Sequence, residues 1–379
     1  VASLSPTRPT VARVALATLQ RNVRAVAAYL AEHSAPRRPP GIIAVVKANG
    51  YGHGAVRAAL AFEAAGAAML ACADVEEGVI LREGGVTAPI LVFGALGVSN
   101  LDGVFTHGLT PTISSPWAAT ALADAAALRG HRLHCHLKID TGMHRLGFRD
   151  DNLRRTLPPI LASPWLAIDA IYTHFGTADV LDHPLFDEQR SRFARAQQEL
   201  AEIGVAGVQW HTANSAACLR DERTWFDFVR PGLALYGVVP PPLAAAIDLV
   251  PALQLTSRVV AVKGLRPGEV VGYGARYTAP EPRRMAVVPA GYADGLDVRL
   301  EGRGHVLVRG QRAPIIGSVC MDMVMIDVTG LVVEPGDEVV IFGQQGDQRI
   351  DVRDVAAAIG TIPYEVLCRV GTRIERVYE

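Results

Sequence analysis

The first two-thirds of the chain repeat one pattern: a short apolar run, then a longer stretch with apolar positions at helical spacing. Runs at 42–46, 69–73, 90–93, 109–113, 133–139, 167–173, 208–211 and 227–229 predict strands. Segments 55–65, 115–128 and 187–203 between them predict helices. The strand runs read as mainly apolar rather than alternating, as expected of parallel strands covered on both faces. Eight alternations of strand and helix predict an α/β fold whose N-terminal part is a (β/α)8 barrel of TIM type.

Beyond this region the pattern changes. Residues 238–243 read VVPPPL, and consecutive prolines carry neither a helix nor a central strand. A domain boundary is expected there, separating a barrel of residues 1–243 from a mainly-β domain of residues 244–379. Strand-like runs at 253–262, 284–289, 306–308, 324–328 and 339–342 are closely punctuated by Gly and Pro, as in all-β domains. Helical patches at 352–359 and 364–370 interrupt them, and 373–378 reads as a last strand. The segment 10–16 is also strand-like; residues 1–16 are open to pairing with either domain.

Charge and composition narrow the partners. The 37 Lys and Arg against 38 Asp and Glu lack the basic surplus of a nucleic-acid platform. No apolar run reaches the ~18–20 residues of a membrane helix. Residues 1–10 lack the basic start, apolar stretch and small-residue cleavage site of a signal peptide. The five cysteines form no CxxC pair, so neither a zinc site nor a disulfide framework is indicated. A reducing, cytoplasmic location is expected, with no nucleic-acid or membrane partner.

Candidate chemistry collects at the strand ends. Lys47 closes the first barrel strand (AVVK), and Asn49-Gly50-Tyr51-Gly52-His53-Gly54 follows. In a parallel barrel the strand C-termini open on the active-site face. A lysine there is partly desolvated, which lowers its pKa and frees its amine for Schiff-base chemistry; a lysine snorkelling to solvent is the plainer alternative. His174 ends the sixth strand, His211-Thr212-Ala213-Asn214-Ser215 follows the seventh, and Arg230-Pro231-Gly232 lies at the eighth. One polar strand end needs no function, but several converging on one mouth are hard to explain by stability alone. No His, Asp and Glu set has metal spacing, so no metal is expected. Asn214, Ser215 and Gly232 lie where the loops after the last barrel strands commonly hold a phosphate. A lysine beside a phosphate pocket points to pyridoxal phosphate.

The motifs AVVKANGYGHG (44–54), KIDTGMHRLG (138–147), YTHFGTAD (172–179), ANSAA (213–217), RPGLALYG (230–237), GYGARY (272–277), AGYADG (290–295), CMD (320–322) and TIPY (361–364) run in order along the chain. Together they resemble alanine racemase, over nearly the whole length from Val11 to Tyr378. The resemblance implies a pyridoxal-phosphate-dependent isomerase that interconverts L- and D-alanine for peptidoglycan. It implies a homodimer with shared active sites, each subunit combining a barrel with a β-domain.

Residue by residue, Lys47 resembles the lysine that carries the cofactor and serves as one proton-transfer base. Tyr273 resembles the opposite base, contributed by the partner subunit. Two bases on opposite faces are what racemisation needs, since the proton leaves one side and returns to the other. Arg230 resembles the arginine facing the pyridine nitrogen, and His174 the histidine linking it to the tyrosine. Tyr51, Ser215, Gly232 and Tyr364 resemble phosphate-binding positions, with Asn214 beside them. Arg145 and the Met321 backbone N–H resemble the groups that hold the substrate carboxylate. Lys138, often carbamylated in the family, then orients Arg145; His211, Tyr292 and Asp322 resemble supporting and entrance residues. His144, Gly176 and Gly50 depart from the family pattern, His144 replacing a common glycine beside Arg145.

Alternatives at this level are a racemase of broader range, acting for example on serine, a related-fold decarboxylase of basic amino acids, and a non-catalytic pyridoxal-phosphate carrier. The GYGARY tyrosine and Arg230 favour racemisation over decarboxylation, and the β-domain residues argue against a lone-barrel carrier.

Overall fold

The computed structural model describes residues 7–94, 96, 100–239, 243 and 247–379. Pro240, Pro241 and Pro242, on which the expected domain boundary rests, lie outside the described residues, as does Ala244, the first residue expected beyond it. By its internal contacts the chain forms two compact units. One consists of Leu19–Gly50 and Ala55–Val250; the other takes in Val1–Thr18, Tyr51–Gly54 and Pro251–Glu379.

The first unit is a closed parallel barrel. Its strands are Gly41–Val45, Met69–Cys72, Ile90–Val92, Thr110–Ile113, Leu133–Asp140, Leu166–Tyr172, Gln209–Asn214 and Phe228–Arg230. Each pairs with the next, and Phe228 and Val229 return to Gly41 and Ile42 to close the ring. The two-residue strand Phe148–Arg149 attaches at Ile139 and Asp140. Met69–Cys72 and Ile90–Val92 are buried almost end to end, which explains their unbroken apolar runs. The helices between them start where the sequence supplies caps. Ser115 Oγ accepts the Ala118 N–H at 3.1 Å, and Pro116 occupies the first turn of Pro116–Leu128. Among the described residues no helix is long and apolar enough to cross a membrane.

The second unit is built on a mostly antiparallel sheet. Its neighbours in order are Ala261–Leu265, Arg283–Val288, Val324–Asp327, Gln311–Ile316, His305–Val308, Glu338–Gln345, Leu253–Arg258, Val11–Val14 and Glu375–Tyr378. Val11–Val14 thus pairs within this sheet, antiparallel to Leu253–Arg258 and parallel to Glu375–Tyr378. The run at 253–262, read as one strand, is two. At Val259 and Val260 the chain changes partners: the Val259 N–H bonds the Asp337 carbonyl, and the Val260 N–H bonds the Val287 carbonyl, each at 2.9 Å. Helices Val352–Ile359 and Pro363–Cys368 come just before the last strand, Glu375–Tyr378.

Candidate active site

The barrel brings its polar strand ends to one mouth. Lys138, Tyr172 and His211 are register partners across three adjacent strands. The Tyr172 ring stacks on His211, with centroids 4.7 Å apart. The Lys138 amine and the Arg230 guanidinium lie 5.8 and 5.0 Å from the Tyr172 centroid. The seventh strand was expected to end at His211; pairing continues to Asn214, so His211 stands well inside it.

Arg230 ends the eighth barrel strand and is buried. A buried cation is costly unless its donors are satisfied. Here Nη1 donates to His211 Nδ1 at 2.7 Å, and Nη2 donates to the Thr173 and Thr212 carbonyls at 2.7 and 2.9 Å, with His174 Nδ1 at 3.4 Å. Nε makes no hydrogen bond among the described residues. A guanidinium only donates, so His211 Nδ1 accepts and its proton sits on Nε2. That nitrogen is 3.0 Å from His136 Nδ1, which accepts in turn. The three side chains form a one-way row, Arg230 to His211 to His136. Burial, reinforced by Arg230, keeps His174 and His211 well below the usual histidine range and lowers His136 to about 4. Burial also lowers Arg230 to about 10, which leaves it charged at neutral pH.

Lys138 is buried, and burial lowers its amine to about 8, with Arg145 and Arg230 adding to the effect and Asp140 opposing it. Arg145 is exposed on the loop after this strand. Beside it His144 has φ 55, and its N–H donates to Asp140 Oδ1 at 3.0 Å. The left-handed backbone explains why glycine suits this position.

Lys47 is half-buried at the start of a turn in which Ala48, Asn49 and Gly50 have φ of 53, 52 and 61. Left-handed backbone costs an ordinary residue about 1–2 kcal/mol, so the turn needs anchors. The Gly50 N–H bonds the Val46 carbonyl at 2.8 Å. Asn49 Oδ1 accepts the Ala55 N–H at 2.9 Å, and Glu77 Oε1 accepts the Ala48 N–H at 2.7 Å.

Ser215 is buried, and its Oγ accepts the N–H groups of Gly232 and Ala234 at 2.9 and 3.3 Å. With both lone pairs used, its O–H proton is what remains to be donated. Gly232 thus contributes through its N–H to Ser215. Asn214 spends its amide on the local turn: Oδ1 accepts the Ala217 N–H at 2.9 Å and Nδ2 donates to the Phe175 carbonyl at 3.4 Å.

The remaining candidates belong to the β-rich unit. Tyr273 stands between the short strands Val270–Val271 and Tyr277–Thr278 and is 78% exposed. The Ser318 hydroxyl donates to its carbonyl at 2.7 Å, and Leu265, Val271, Ala279, Ile316 and Met325 pack into an apolar cluster of this unit. Met321 is exposed, and its carbonyl accepts the Ala293 N–H at 3.1 Å; its own N–H makes no hydrogen bond among the described residues. Arg373 ties this loop down, donating to Asp322 Oδ1 at 2.8 Å and to buried Asp294 at 2.7 and 3.0 Å. Tyr292 precedes Asp294 in the same turn. The rings of Tyr51 and Tyr364 meet edge-on, 5.6 Å apart.

Sequence reasoning missed His136, Tyr172, Glu77, Ser318 and Arg373. His136 was within reach, since it lies two residues before Lys138 and so faces the same side of the strand. The others act through contacts distant in sequence.

Two family models match the chain: alanine racemase, N-terminal domain, over residues 14–240, and alanine racemase, C-terminal domain, over residues 252–378. The chain belongs to the alanine racemase family. It is 39% identical over 373 residues to an alanine racemase of Symbiobacterium thermophilum, covering 98% of this chain and 97% of that one. Among solved structures it is similar to the alanine racemase of D-cycloserine-producing Streptomyces lavendulae, with a TM-score of 0.93, 34% identity, and 99% and 98% of the two chains covered. An alanine racemase of Bacillus anthracis with bound L-Ala-P matches with a TM-score of 0.90 at 34% identity, covering 99% of this chain and 96% of that one.

Proposed function

We propose that this member of the alanine racemase family interconverts L- and D-alanine with pyridoxal phosphate, using Lys47 and Tyr273 as opposed proton carriers. The observation that carries the reading is Arg230, a buried guanidinium held charged by two backbone carbonyls and a histidine row.

The residues present fit the cofactor chemically. Lys47 supplies an amine for its aldehyde, Arg230 a cationic donor for its ring nitrogen, and Ser215 a hydroxyl proton for its phosphate. Tyr51 and Tyr364 are assigned to the phosphate by the family motifs, with Gly232 acting through its N–H to Ser215 and Asn214 fixing the Ser215 turn. When bound, pyridoxal phosphate supplies an electron sink conjugated to the substrate α-carbon.

Lys47 Nζ holds the cofactor and then exchanges the α-proton on one face, and the Tyr273 phenol oxygen does so on the other. Arg230 remains a donor throughout, because a guanidinium does not readily surrender its proton. Arg230 would thus hold the ring nitrogen by a hydrogen bond without protonating it, and a group bound there would supply a weaker electron sink than one with a protonated ring. His174 lies against Arg230 and is kept neutral by burial. The Arg145 guanidinium and the Met321 N–H hold the substrate carboxylate, and a forked cation suits that group. Lys138, lowered to about 8, has a reactive neutral fraction that adds carbon dioxide and releases a proton, giving an anion to orient Arg145. Tyr292 and Asp322 shape the entrance. We assign the working form as a cytoplasmic homodimer with Tyr273 and Met321 serving the partner's site, and its product to peptidoglycan synthesis.

The test begins with purification without added cofactor, followed by a visible spectrum and chiral analysis of L-alanine incubations. Lys47→Ala is expected to lose the visible band and nearly all racemisation; retained turnover overturns the reading. Release of carbon dioxide with formation of an amine and no D-enantiomer would point to a decarboxylase instead.

A further inference from the structure

The peptide that follows Lys47 is held from outside its own turn. Glu77 lies on the helix Val75–Glu83, which follows the second barrel strand. Its Oε1 accepts the Ala48 N–H at 2.7 Å, and its Oε2 accepts the Ala73 N–H at 2.8 Å. One carboxylate therefore bridges the residue after Lys47 and the residue after Cys72, clamping the exits of two adjacent barrel strands. The clamp is anchored at its base, since Asp74 Oδ1 accepts the Glu77 N–H at 2.9 Å. Glu76, its neighbour on the same helix, is exposed and serves as a natural control.

The need for such a clamp is local. Ala48 adopts a left-handed backbone that alanine does not favour, with Asn49 and Gly50 continuing it, and Lys47 takes its direction from the first peptide of that turn. An ionised carboxylate with one backbone N–H on each oxygen is a strong, directional acceptor pair. A glutamine in its place keeps one carbonyl oxygen but turns an NH2 group toward the other N–H.

We propose that Glu77 is a positioning residue for racemisation: through the Ala48 peptide it fixes the direction in which Lys47 presents its amine. The inference rests on the reading of Lys47 as the cofactor-bearing base. Misplacement of a reacting group by an ångström is enough to cost up to about 10²-fold in rate. Glu77→Gln is therefore expected to lower kcat about tenfold or more, with KM for alanine within about twofold of wild type.

The test compares wild type, Glu77→Gln, Glu76→Gln and Lys47→Ala, all full-length. The first readout is the rate at which cofactor-free protein captures added pyridoxal phosphate, followed by the visible band and by borohydride trapping with peptide mapping. Glu77→Gln should capture at least about fivefold more slowly at Lys47, with its melting temperature within a few degrees of wild type. Glu76→Gln should match wild type in every measure. Glu77→Gln with unchanged capture rate and kcat overturns the role of Glu77, as does a rise in KM alone. Lys47→Ala that still traps the cofactor overturns the reading of Lys47 itself and is told apart by the peptide map. If Glu77→Gln fails to fold, hydrogen exchange of the wild-type Ala48 amide decides. Protection comparable to the adjoining strand supports the clamp, and exchange at loop rates overturns it.

Discussion

Arg230 concentrates the residue-scale physics of this protein. Its position at a strand end is readable from the sequence, but its meaning depends on three acceptors from residues distant in the chain. Arg230→Lys keeps the charge and loses the fork. It should leave acceptors unmet at about 1–3 kcal/mol each, lower the melting temperature, and cut kcat/KM by at least about 10²-fold. Unchanged kinetics in this variant would argue against the role of the fork. His136 makes a second prediction, about acid. Burial holds it near 4 against an ordinary value of 6.5, with Asp169 opposing and Arg230 reinforcing, and His211 packed beside it. Between pH 6.5 and 4 the unfolded chain therefore binds a proton that the native state refuses, so stability rises with pH there and is lost on acidification. The slope from this one group is about 1.4 kcal/mol per pH unit, and His136→Gln should flatten it in urea titrations across that window. A variant with the wild-type slope would show that the proton is taken up elsewhere. His144 shows the limit of reading residues alone: its departure from the family pattern is visible in the sequence, but the left-handed backbone that gives it significance is not.

At the scale of elements, periodicity located the barrel strands because parallel strands buried on both faces cannot hide their apolar runs. The β-rich unit was less legible. Gln311–Ile316 is not among the expected strands, and it contains Pro314, which normally argues against a paired strand. Pro314 is tolerated because only Ile315 and Ile316 pair with Val324–Asp327, so its missing N–H falls outside that ladder. The turn between Lys47 and the next helix also depends on remote contacts. Gly52 has φ 80, and a Cβ there would run into the Leu367 carbonyl oxygen. Gly52→Ala should destabilise the protein by about 2 kcal/mol or more, combining backbone strain with that clash. Thermal melting within one degree of wild type would refute the close approach.

At the scale of the whole molecule, the proposed two-base reaction makes activity a property of paired chains. Lys47→Ala and Tyr273→Phe variants, each nearly inactive alone, should recover part of the wild-type rate when mixed and allowed to exchange subunits. One of the three dimer species then carries an intact site. No recovery, with exchange confirmed by native mass spectrometry, would mean that each site is built from one chain. The sequence by itself determined the barrel and the change to β-structure beyond it, and it named the candidate reacting groups, because burial pattern, proline and reactive side chains are written locally. Only the tertiary structure decided that Val11–Val14 pairs within the β-rich sheet, that His136 and His211 accept in a row from Arg230, and that Glu77 reaches the peptide after Lys47. Those are contacts between residues far apart in the chain, and no periodicity records which distant donor an acceptor will meet.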